Sequence, residues 1–132
     1  MLIIKKDIEN RDDIILLVNS FYDKVKINPL IGFIFNEVMA VNWARHLPLM
    51  YDFWENTLFY TGGYTGNPME KHRRLNRVIT LTTEHFKEWI HLFNLTVNEL
   101  FSGEKAELVK LRALNIAKLM QIKIVDVNNS LS

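Results

Sequence analysis

The sequence contains no cysteine, which excludes disulfides, thiolate metal ligands and cysteine nucleophiles together. Proline and glycine are scarce, three and five in 132 residues, and no repeat or low-complexity segment breaks the chain. A charge bias is missing too: 16 basic residues against 15 acidic leave a net charge of +1. That balance offers no global reason to expect nucleic acid or a membrane as partner. No apolar run approaches the roughly 20 residues of a membrane span, and no secretory leader pattern opens the chain. A cytoplasmic location is the expectation. What is present is a 48% hydrophobic composition at a length that fits one domain with a real core. The expected unit is 1–132, with its core at about 11–124 and frayed ends.

Helical spacing dominates. After a short extended arm, Asn10 caps an expected helix over 11–27, with Asp12 and Asp13 where the dipole favours anions and Ile14, Leu17, Val18, Phe21 and Val25 on one face. "INPLIGFIFNEV" breaks at Pro29 and reads as tight turns or a short helix. A helix within 42–60 carries Leu47, Met50, Phe53, Trp54, Thr57 and Leu58, but Pro48 predicts that its regular part begins only there. "TGGYTGNP" is a loop ending at Asn67, an N-cap followed by Pro68 and by Glu70 of a capping box. That short helix should end near Leu75. A long helix capped by Thr82 or Thr83 buries Phe86, Trp89, Ile90, Phe93, Val97 and Leu100. Ser102 caps a last helix bearing Ala106, Val109, Ala113, Ile116, Ala117 and Met120, and the tail "VDVNNSLS" should fray. No β-alternation of useful length appears, so the fold class is all-α.

His72 sits one turn into a helix too short to be stable alone. A bond from its imidazole to the metal of a cofactor would hold that helix, and Lys71, Arg73 and Arg74 would suit carboxylates at a cofactor's edge. A surface histidine in a solvated basic patch fits the same spacing, and spacing alone does not choose. Tyr22 and Trp89 lie on buried faces, where a phenol or indole needs a hydrogen-bond partner. Each taken singly reads as plain core. His46, four residues before Met50, reads singly as a satisfied or exposed histidine. Glu88 and His91 have the spacing of half a di-iron site but lack a second pair. His85 and His91 are expected to face water or flank the long helix.

Five stretches occur in order: "FYDKV" with Tyr22, "HLPLMYDFWENTLF" with His46, "YTGNPMEKHRRL" with His72, "HFKEWIHLF" with Trp89, and "FSGEKAELVKLRALNIA". Together they resemble the group III truncated haemoglobins over residues 14–122. The pairing of His-x-x-x-Met and Asp-Phe-Trp with Gly-x-Pro-x-x-x-His carries the resemblance. It implies a compact truncated globin-like helical sandwich around haem b, iron protoporphyrin IX. By the same resemblance His72 is the proximal iron ligand, Tyr22, Trp89 and His46 line the distal side, and Phe35, or second to it Phe33, packs on the porphyrin. Met50, Phe53, Trp54 and Leu75 would complete the pocket, with Arg73 and Arg74 near the propionates.

A ferrous haem with one axial histidine would leave a position open to O2, CO or NO. Polar distal donors would favour ligand capture or detoxification over O2 delivery. A haem enzyme, oxidising NO or reducing peroxide, is the alternative, and it would need an electron donor that this chain does not contain. A cofactor-free helical interaction module is the third reading.

Overall fold

The computed structural model describes residues 4–60 and 81–131, with side chains through 121. Helix α1, Arg11–Ile27, opens as the sequence predicts: Asn10 accepts from the Asp13 amide at 3.1 Å, and Asp12 and Asp13 occupy the first turn. Ile14, Leu17, Val18, Phe21, Tyr22 and Val25 form its buried stripe. The helix ends at Asn28, which Pro29 pushes into extended backbone. Asn28 Oδ1 then collects the Leu30 and Ile31 amides at 2.9 and 3.0 Å. Gly32 approaches the end of α1 so closely that a Cβ would lie 3.0 Å from the carbonyl oxygens of Val25 and Lys26. That approach folds the chain back into a π-helical turn, Ile34–Val38, which carries Phe35.

Helix α2 spans Trp43–Phe59 and contains Pro48. The expectation that regular helix begins only at Pro48 is therefore wrong. At the sixth helical position the proline removes one bond, the one its amide would have made to Ala44. The first turn is already closed, because the Asn42 carbonyl accepts from Arg45 and His46 at 3.1 and 2.8 Å.

Helix α3, Thr83–Leu100, is capped by Thr82. Helix α4 runs Glu104–Leu131, so the backbone of the tail continues the helix where fraying is predicted. Its cap is not Ser102. Asp7, from the N-terminal arm, accepts from the Lys105 and Ala106 amides at 2.8 Å each. Ser102 instead donates its amide to the Lys6 carbonyl at 3.0 Å, pinning the arm in place. Gly103, at φ 142°, makes room for this contact, since a Cβ there would meet Asp7 Cγ at 2.6 Å.

Helix α1 packs on α2 and α3, and α4 closes the sandwich against α3 and α2. Across the α1–α2 contact the Tyr51 hydroxyl donates to Asn19 Oδ1, and Arg11 pairs with Asp52 and Glu55 at 2.9 and 3.0 Å. In the core, Phe21 meets Phe93 and Trp89 edge-on at 5.2 and 5.5 Å, and Trp54 lies 5.0 Å from Phe93. Each of the buried rings of Phe21, Phe93 and Trp54 contributes about 1.5–3 kcal/mol through burial, and Trp89 is partly buried beside them. Among the described residues there is no strand, and no helix is long and apolar enough to cross a membrane.

Candidate functional site

The sandwich does not close completely. It leaves a cavity of about 110 Å³ that opens to solvent. Helix α1 contributes Tyr22, and the turn after it Ile31, Ile34, Phe35 and Met39. Helix α2 contributes His46, Met50, Phe53 and Trp54; α3 and the residues before it contribute Leu81, His85, Phe86 and Trp89; α4 contributes Ile116, Ala117 and Met120. Seven residues singled out in the sequence, Tyr22, Phe35, His46, Met50, Phe53, Trp54 and Trp89, thus line one space. Phe33, the alternative to Phe35, is 41% exposed and does not. His72, Arg73, Arg74 and Leu75 lie outside the described residues.

The lining is apolar except for a few groups. Tyr22 is 5% exposed, and its ring is held by Phe21 at 4.9 Å, Phe35 at 6.1 Å, Trp43 at 5.3 Å and His46 at 5.3 Å. Its hydroxyl hydrogen-bonds to His46 Nε2 at 3.3 Å. The direction of that bond follows the imidazole tautomer. With the proton on Nδ1, the phenol donates to Nε2. With the proton on Nε2, the imidazole donates to the phenol oxygen, and the phenol proton is left to point elsewhere. Trp89 is fixed by edge contact with Phe21 and by stacking on Phe93 at 5.7 Å and 16°. Its indole N–H, a donor only, has no acceptor among the described residues.

Sequence reasoning missed two aromatic positions. Trp43 stands behind Tyr22 and His46, 5.7 Å from the imidazole; its place three residues before His46, on the same helix face, was the available signal. His85 is half-buried and lines the cavity, contrary to its expected place in water or at the helix flank. Its side chain is also the N3 partner in the capping box of α3. Phe86, Ile116, Ala117 and Met120 carry helical spacing that reads as core, and the pattern alone does not separate core from cavity wall.

No family model matches the chain. It is 30% identical over 115 residues to the group 3 truncated haemoglobin ctb of Campylobacter jejuni, covering 85% of this chain and 88% of that protein. The crystal structure of a group III truncated haemoglobin from Campylobacter jejuni superposes with a TM-score of 0.80 at 29% identity, over 92% of this chain and 95% of the other. The helical sandwich formed by the described residues is thus the fold of a truncated globin. The chain belongs to the group 3 truncated haemoglobin family.

Proposed function

We propose that the cavity holds haem b with His72 as its proximal iron ligand, and that the chain binds and retains diatomic ligands such as O2, NO or CO. The observation that carries this reading is the Tyr22–His46 pair, a 3.3 Å hydrogen bond set in the wall of an otherwise apolar cavity. The lining fits the group. Phe35, Met50, Phe53 and Trp54 offer flat or adaptable apolar surface to a macrocycle and keep water out, while the polar groups are few. When bound, haem supplies an iron with a coordination position open to a diatomic ligand.

The remaining work belongs to the side chains. Arg73 and Arg74 are suited to carboxylates at the rim, and Leu75 to the apolar wall. With its proton on Nε2, His46 donates to the Tyr22 oxygen and leaves the phenol a donor on the cavity wall; in the other tautomer the phenol donates to Nε2. Trp89 adds a donor that no tautomer can turn into an acceptor. Donors fixed by ring packing before a ligand arrives need little reorganisation to meet it. Retention of this kind suits capture and detoxification better than delivery.

Stopped-flow displacement of O2 from the ferrous protein tests this directly. A charge-assisted hydrogen bond contributes about 1.5–3 kcal/mol, so Tyr22→Phe should release O2 roughly 10- to 100-fold faster. An unchanged release rate would remove Tyr22 from the ligand site.

A further inference from the structure

His85 does two things at once in this fold. Its Nδ1 accepts from the Thr82 amide at 3.1 Å, while its own amide donates to Thr82 Oγ1 at 3.3 Å. The second position of such a box is ordinarily glutamate or glutamine, whose side chain supplies only the acceptor that the cap requires or an amide of both kinds. A backbone amide can only donate, so the Nδ1 lone pair must stay free and the neutral ring carries its proton on Nε2. The cap therefore fixes both the tautomer and the orientation of the ring.

That ring is half-buried and lines the cavity, with Leu81 and Phe86 as neighbours in sequence and on the wall. No described residue accepts from Nε2. At the partly open wall of a largely apolar cavity, an N–H of fixed tautomer favours an anionic acceptor, and the first turn of α3 adds the same preference for negative charge. We infer that His85 is a binding residue for a carboxylate on the rim of the group held in the cavity. The inference rests on the haem reading, in which that carboxylate is a propionate.

The test is an absorption titration of the apoprotein with haem and, separately, with haem dimethyl ester, in which both propionates are masked. Wild type is compared with His85→Glu and His85→Gln, with far-UV circular dichroism as the check on folding. Glutamate keeps the capping box but removes the donor and sets one carboxylate against another; glutamine can accept from Thr82 and still donate. For haem, His85→Glu should bind about 10- to 100-fold more weakly than wild type and His85→Gln within about threefold of it. For the ester, all three proteins should bind within about threefold of one another. Equal haem affinity in wild type and His85→Glu would overturn the inference. So would an equal loss with haem and ester, which would show that the effect of His85 does not depend on the carboxylates. Failure of the wild type to bind either compound would instead overturn the haem reading, and this inference with it.

Discussion

Tyr22 shows how one residue serves packing and chemistry together. Its ring fills the space between α1, the π turn and α2, and its hydroxyl is spent on His46. The two residues touch, so their effects on a ligand should not add. Removing His46 takes away the group that chooses where the phenol proton points; once Tyr22 is phenylalanine, that choice no longer exists. A double-mutant cycle of Tyr22→Phe and His46→Leu on the O2 release rate should give a coupling of about 0.5–3 kcal/mol. Additive effects would show that the pair does not act as a unit.

The residue scale also shows what a sequence hides. Tyr22, His46 and Trp89 stood out because polar atoms on apolar faces demand partners. Trp43 and His85 did not. Trp43 opens α2 ahead of the stripe that carries Met50 and Trp54, and the wall-facing role of His85 depends on a cap in which histidine replaces the usual glutamate or glutamine.

At the scale of elements, two of the three expected caps among the described residues hold and the third, Ser102, gives way to a distant residue. Asn10 and Thr82 cap α1 and α3 from adjacent positions, and both are legible from residue type and spacing. The cap of α4 comes from Asp7, 98 residues before Lys105, and no local pattern announces it. Pro48 misled for a related reason: its cost depends on how many turns precede it, and the backbone of Asn42 settles that.

The Asp7 contact has a pH consequence. Burial pushes its carboxyl up, but the Lys105, Ile8 and Ala106 amides together with the nearby Lys105 charge outweigh that and hold it below its ordinary value of 3.8. Burial likewise raises Asp13, which Lys6 and the Glu9 and Asn10 amides bring below the same value. A carboxyl lowered in the folded state binds protons more readily when unfolded. Its stabilisation is therefore complete above the ordinary value and is lost as pH falls through the lowered one. Asp7→Asn places an NH2 against one of two amides that need acceptors and should cost about 1–2 kcal/mol in urea unfolding at neutral pH. The gap from wild type should narrow on acidification. A variant as stable as wild type at neutral pH would contradict the cap.

At the scale of the whole molecule, the all-α sandwich was legible because amphipathic helices, each with an apolar face, have few ways to bury those faces. The cavity was legible only in part. Its walls use the same residue types at the same spacing as a filled core, so Ile116, Ala117 and Met120 read as packing until the helices are placed around an open space. The resemblance carried by the His46 and His72 stretches supplied what periodicity could not, and the family relationship now stands on identity and superposition together.

The account centres on a haem in that space, ligated by His72, and a spectroscopic haem titration of wild type and His72→Ala tests it most directly. The wild-type apoprotein should saturate at one haem per chain, with a Soret band that shifts on reduction and CO addition to the form of a histidine-ligated ferrous adduct. His72→Ala should lose that spectrum. A folded wild-type chain without saturable haem binding, or a His72→Ala variant with an unchanged spectrum and affinity, would contradict the account.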